Sequence, residues 1–212
     1  MTGPAPTAGS ADRKSSREVV SHERVWSGRI VGIEVDDVRV VDGAAPVTRE
    51  YARHPGAVAI VALRGPEGRE EILLERQYRH PVGCELWEIP AGLLDVDGED
   101  PLVAAQRELA EEADLRAGRW DVLIDLFSSP GISTESLRVF LARDLSPTGT
   151  VFDREDEEAG IETAWVDLDE AVRLVLAGGL HAASAVSGVL AAHACRMRGW
   201  QPLRPVRAPW LR

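Results

Sequence analysis

Apolar and polar positions divide the chain into short β-prone runs, one amphipathic helical stretch and two helical stretches near the end. Between Val19 and Arg53 the runs RIVGIEV and VRVV, separated by turns at Asp36-Asp37 and at Asp42-Gly43, predict a small antiparallel sheet. The run from Ala57 to Leu63, AVAIVAL, is apolar throughout. With the turn GPEG and the following EILLERQYR it predicts a buried hairpin that opens the core sheet. Asp100-Pro101 is a helix start, a capping carboxylate followed by proline in the first helical position, and predicts a helix to about Ala113. WDVLIDLF and SLRVFLAR predict strands on either side of SSPGISTE, and AWVDL predicts another, entered from DREDEE. Two helices follow, from about Asp169 to Leu176 with a stop at Gly178-Gly179, and from about Ser184 to Met197 with a stop at Gly199. Residues 1–16 have no apolar period and are expected to form a flexible tail. Residues 17–55 form the amino-terminal β region, 56–199 the main domain, and 200–212 a tail whose Pro202, Pro205 and Pro209 leave it extended or loose.

Winding the helix from Pro101 at about 100° per residue puts Leu102, Ala105, Leu109 and Ala113 on the face that meets the core. Beside that face stand Glu108, Glu111 and Glu112, spaced so that all fall within about one turn. Like charges at these spacings cost roughly 0.2–0.5 kcal/mol per pair. Carboxylates in a last turn also oppose the helix dipole by roughly 0.3–1 kcal/mol each. Arg107, four residues before Glu111, offsets part of this, but one guanidinium does not satisfy three adjacent carboxylates. A divalent cation would. For an isolated Glu pair a solvated helix face is the ordinary reading, and composition alone favours it.

Length and charge narrow the choice. The 212 residues suit one domain, or one domain with a small β-rich appendage. Hydrophobic residues make up 44% and charged residues 28%, an ordinary globular composition, and the longest apolar stretches are far too short to span a bilayer. Against 35 Asp and Glu stand 24 Lys and Arg, a net charge of −11 that opposes a nucleic-acid polymer. Part of the surplus lies on the helix and part between Asp153 and Glu162, six carboxylates in ten residues, a run whose ordinary reading is a solvated loop. Divalent cations set between such carboxylates and a small phosphorylated ligand reverse the sign of the local field. Cys84 and Cys195 match no metal or redox spacing and read as structural or incidental thiols. With no hydrophobic signal segment at the amino terminus, the expected compartment is the reducing cytoplasm.

The surrounding string changes the weight of the three glutamates. Gly92 to Leu115, GLLDVDGEDPLVAAQRELAEEADL, resembles the Nudix box, whose pattern is G, five residues, E, seven residues, then R-E-U-x-E-E-x-G-U with U a bulky aliphatic. Glu99 is followed after seven residues by Arg107, Glu108, Leu109, Ala110, Glu111, Glu112, Ala113, Asp114 and Leu115. Two departures stand out: six residues separate Gly92 from Glu99, and Asp114 replaces the late glycine. The first is an insertion in a loop, and aspartate tolerates left-handed or turn geometry better than most residues. Upstream, RQYRHPVGCELWEIPAG is similar to the corresponding stretch of the ADP-ribose pyrophosphatase subfamily. Pro130, 15 residues beyond Leu115, stands where that subfamily has its marker proline.

The resemblance implies the α/β (α+β) Nudix fold, a mixed sheet sandwiched between helices, with an amino-terminal β region exchanged between the subunits of a homodimer. It implies Mg²⁺- or Mn²⁺-dependent hydrolysis of ADP-ribose to AMP and ribose 5-phosphate. The alternatives are another nucleoside diphosphate derivative (a nucleotide sugar, a dinucleoside polyphosphate or an oxidised nucleotide) or a Nudix-fold ligand sensor without turnover. Glu108 and Glu112 are the implied principal metal ligands, with Glu111 shared or acting through water and the Ala91 carbonyl a further ligand. Glu99 and Arg107 are implied to orient these carboxylates, where a plain surface ion pair is the ordinary alternative. The base is implied to come from the acidic segment, Glu158 first, as base or additional ligand, and Glu157 second. Arg79 is placed to pair with a phosphate. Glu88 either accepts hydrogen bonds from ribose or base or binds Arg79 as a structural pair. Trp26 or Tyr51 stacking on adenine competes with a core or interface role for either ring.

Overall fold

Residues 11–150, 152, 160–201 and 203–212 are described by the computed structural model; residues 1–10 of the expected tail lie outside them, as do 153–159. The chain opens with three antiparallel strands, β1 (Glu18–Ser27), β2 (Gly32–Arg39) and β3 (Val47–Arg53), in the order β1-β2-β3. The turn expected at Asp36-Asp37 does not occur, and β2 runs straight through both residues. Cross-strand partners make this possible. Asp36 accepts from Tyr51 Oη and meets His22 Nδ1 at 2.7 Å, while Asp37 accepts from Ser21 Oγ and Thr48 Oγ1, each at 2.8 Å. The two hydroxyl bonds hold the Asp37 carboxyl below the ordinary aspartate range.

The core sheet consists of β4 (Ala57–Arg64), β5 (Glu71–Arg79), β6 (Cys84–Glu88), β7 (Ala91–Leu93), β8 (Leu115–Phe127), β9 (Ser136–Pro147) and β10 (Glu162–Asp167). Its order is β10-β5-β4-β9-β8, with β6 on β5 and β7 on β4. The hairpin expected from AVAIVAL and EILLERQYR is only its own tip. β4 meets β5 at Leu63↔Ile72 and Arg64↔Glu71, then lies parallel to β9 and antiparallel to β7. An apolar strand flanked on both sides is buried on both faces, and here its alternate residues enter two different cores. Ala57, Ala59, Val61 and Leu63 meet the layer of α2 (Leu168–Leu176) and α3 (Ala183–Arg196). Val58, Ile60 and Ala62 meet Ala104, Ala105 and Leu109 of α1 (Pro101–Ala113). The sheet is thus mixed and sandwiched between helices.

Residues 203–212 turn once, where the Ala208 amide bonds to the Pro205 carbonyl, and are held against the sheet rather than loose. Val122 and Arg204 exchange backbone bonds. Arg138, buried on β9, forks onto Asp125, donates to the Ala208 and Pro209 carbonyls and lies over the Trp210 ring. Proline spares these residues an amide that would need a partner, and Arg138 satisfies the carbonyls. No helix among the described residues is long and apolar enough to cross a membrane.

Candidate active site

The site is built on α1. Asp100 caps its start by accepting from the Leu102 amide, and Pro101 occupies the position where a missing N–H costs nothing. At the other end Asp114 closes the helix in the left-handed conformation, φ 55°, with its amide bonded to the Ala110 carbonyl. Glycine fits this position best, and aspartate is among the few residues that adopt it readily. Leu109 and Ala105 are buried as the helical wheel requires, with Leu102 and Ala113 partly buried at the edge of the same core.

Fixing the apolar face against the sheet turns Glu108 and Glu112 inward, and each is only 7% exposed. Both meet the backbone of β7. Glu112 Oε2 accepts from the Ala91 amide at 3.0 Å. Glu108 lies so close to Gly92 that a Cβ there would stand 2.0 Å from its carboxylate, so Gly92 is needed for the approach itself. Glu111 is more open, and Arg107 ties the group together. Its Nη1 donates to Glu108 Oε1 at 2.6 Å and Glu111 Oε2 at 3.0 Å, while Nε and Nη2 reach Glu99 at 3.3 Å. The bonds to Glu99 and the surrounding carboxylates push the guanidinium further into its charged range against the cost of partial burial. Glu99 and Arg107 therefore form no isolated surface pair; they are joined to two of the helix carboxylates.

Arg79 and Glu88 close on each other. Arg79 Nε and Nη2 donate to the two oxygens of Glu88, each at 2.8 Å, so the structural pair is the alternative the structure adopts. Strand alternation places both on the α1 side of the sheet, with Leu73, because Arg79 is an even number of residues from it and Glu88 lies opposite Glu75. Glu75 shares this face at 4% exposure. The sequence reading missed it. The signal was a carboxylate directly following the apolar run Ile72–Leu74 of the strand.

Pro130 is exposed in the loop between β8 and β9, which docks on the end of β3 through Ala52 N to Ile132 O and Thr134 N to Ala52 O. The structure does not bring it into bonded contact with α1 among the described residues. Glu157 and Glu158 lie outside the described residues. Glu162, at the end of the acidic segment, is taken by Arg76 at 2.7 Å. Trp26 is exposed on β1, and Tyr51 lies in the amino-terminal sheet with its hydroxyl on Asp36. Burial, and then that bond, raise the Tyr51 phenol above its usual range.

Among the described residues no three His, Cys, Asp or Glu side chains converge closely enough to hold an ion. The donor set still suits a hard divalent cation. It consists of carboxylate oxygens, those of Glu108 and Glu112 largely withdrawn from water and that of Glu111 more open, and the Arg107 guanidinium donates to Glu108 and Glu111.

A NUDIX domain pattern matches residues 53–185. The chain belongs to the Nudix family. Among curated relatives this Nudix chain is 44% identical over 194 residues to an ADP-ribose pyrophosphatase of Mycobacterium tuberculosis (strain ATCC 25618 / H37Rv), covering 92% of this chain and 91% of that protein. It is 37% identical over 159 residues to an ADP-ribose pyrophosphatase of Bacillus subtilis (strain 168), covering 74% and 82%. A solved structure described as an ADP compounds hydrolase superposes with a TM-score of 0.69 at 22% identity, covering 90% of this chain and all of that one, and bears on the fold alone. Among the described residues the Nudix fold here is a mixed sheet with three α-helices plus the amino-terminal three-stranded sheet.

Proposed function

We propose that this Nudix hydrolase cleaves the pyrophosphate bond of ADP-ribose, giving AMP and ribose 5-phosphate. The observation that carries the reaction type is the seating of Glu108 and Glu112 against Ala91-Gly92 with Arg107 linking Glu99, Glu108 and Glu111. The choice of substrate is supported by likeness to an ADP-ribose pyrophosphatase along almost the whole chain.

Glu108 and Glu112, with Glu111, the Ala91 carbonyl and Glu158, are the residues proposed to hold Mg²⁺ or Mn²⁺. When bound, the cation supplies charge neutralisation at the phosphate oxygens and lowers the pKa of bound water. The remaining work belongs to the chain. Glu99 holds the Arg107 guanidinium beside the helix, which keeps Glu108 and Glu111 oriented. Glu88 holds Arg79 flat, so that its cation is presented on the α1 side of the sheet, where a phosphate is proposed to lie. Glu158, with Glu157 as second choice, is proposed as base. The exposed, unpaired thiol of Cys84 fits the reducing cytoplasm proposed as its compartment.

The test is kcat/KM with Mg²⁺ over ADP-ribose, nucleotide sugars, dinucleoside polyphosphates and oxidised nucleotides. ADP-ribose is expected to rank first. A value well below that for a nucleotide sugar overturns the assignment, and absence of turnover on every compound favours a ligand sensor.

A further inference from the structure

A recess of about 450 Å³ lies where the amino-terminal sheet meets the start of β4, and none of the residues placed at the candidate active site lines it. Its walls are the turn between β1 and β2, the end of β3 with the residues that follow it, Leu94 beyond β7, and Arg212. Four of its side chains are basic, Arg24, Arg53, His54 and Arg212, and among the described residues no Asp or Glu lines it. Arg24 is balanced by the fully buried Glu34, whose Oε1 accepts from its Nη2 at 2.6 Å. Among the described residues no carboxylate forms an ion pair with Arg53 or Arg212. Arg212 donates to the Pro55 carbonyl at 3.2 Å and lies over the Trp210 ring, contacts that place the cation without neutralising it. His54 Nδ1 accepts from the Gly56 amide at 3.0 Å, which leaves the ring proton on Nε2, a donor.

We propose that this recess binds a small phosphate monoester, as an anion site separate from the carboxylates of α1. Like charges gathered in one cleft repel each other and focus a field that draws in a counter-charge. Here one buried glutamate offsets one of three guanidinium groups, in a chain whose net charge is −11. The planar donor fork of arginine matches phosphate oxygens, and three terminal oxygens give Arg53, Arg212 and His54 one acceptor each. The volume falls in the range of small-ligand pockets and exceeds what a bare phosphate fills, which favours an organic monoester. The overall charge opposes a nucleic-acid polymer as the source of the phosphate.

The test is an NMR titration with ribose 5-phosphate, inorganic phosphate and acetate at matched ionic strength, read at the amides of Gly28, Gly32 and His54. Divalent cations are left out, so that no metal draws phosphate to the α1 carboxylates. Ribose 5-phosphate is expected to shift these three resonances saturably, inorganic phosphate to do so more weakly, and acetate to leave them in place. Equal affinity for the two phosphates overturns the monoester in favour of free phosphate, and an equal response to acetate overturns the phosphate class. Arg53→Gln and Arg212→Gln are each expected to weaken ribose 5-phosphate binding about tenfold, the equivalent of one charge-assisted hydrogen bond, with the thermal midpoint unchanged. Arg24 is kept, because its loss would strand the buried Glu34. Unchanged affinity in both variants overturns the proposal, as do shifts confined to Arg79 and α1. A loss of binding matched by a lowered thermal midpoint in both variants overturns it in favour of a structural role. The titration involves no turnover, so its outcome is independent of whether ADP-ribose is the substrate.

Discussion

Glu112 combines two demands in one side chain, a bond to the Ala91 amide and a proposed place in the metal site. Glu112→Gln separates them, because the amide oxygen still accepts from Ala91 but the charge is gone. Activity with Mg²⁺ is expected to fall by about a hundredfold or more, the rate equivalent of several kcal/mol of charge stabilisation, with the thermal midpoint preserved. Near-normal kcat/KM would remove Glu112 from the ligand set. The three glutamates were legible because i, i+3 and i+4 spacing is a local property of a helix. Pairings across the sheet were not. The sequence leaves Glu88 free to bind substrate or Arg79, and only the packing of β5 on β6 puts the two charges 2.8 Å apart. Glu75 carries no local signal of the face it occupies until β5 has a side buried against α1.

The amino-terminal sheet shows how an element overrides a turn-like string. Asp37 sits on the central strand and accepts from Ser21 on β1 and Thr48 on β3, linking both edges. Its folded pKa lies below the ordinary value of 3.8, so the stabilisation is complete above that pH and is lost as pH falls through the lowered value. An NMR titration of the Asp37 carboxyl carbon is expected to give a midpoint below 3.8, and Ser21→Ala with Thr48→Val to return it toward 3.8. An unshifted native midpoint would show that the two bonds do not form in solution. α1 was legible to the residue because Asp100, Pro101 and Asp114 act within one turn of its ends. The AVAIVAL hairpin was not, since an apolar run states burial on both faces but not which strands cover its two edges.

At the scale of the molecule, strand β1 of the three-stranded sheet is exposed along its whole length. Val19, Val20, Val25 and Trp26 are exposed on a single strand, which a second copy would bury. A homodimer, with this region exchanged between subunits, is proposed on that ground. Light scattering at working concentrations is expected to give twice the 23.1 kDa chain mass, and a monomer refutes the proposal. The net charge of −11 takes on a local meaning as well. Part of the surplus is gathered on α1, where Arg107 already balances some of it, so the acidity that argues against nucleic-acid polymers suits a cation-bridged diphosphate.

The sequence by itself determined what depends on neighbours along the chain: the ends of α1, the carboxylates on its flank, the departure at Asp114 and the family they mark. Only the tertiary structure decided what depends on residues far apart in sequence. It set β4 between β9 and β7, turned Glu88 onto Arg79, and held residues 203–212 through Arg138. It also gave the Asp114 carboxylate a partner 38 residues away. Helix spacing and capping are short-range and written into consecutive residues. The partner of a strand edge or a buried charge is settled by the closing of the fold, which brings together groups with no common local pattern.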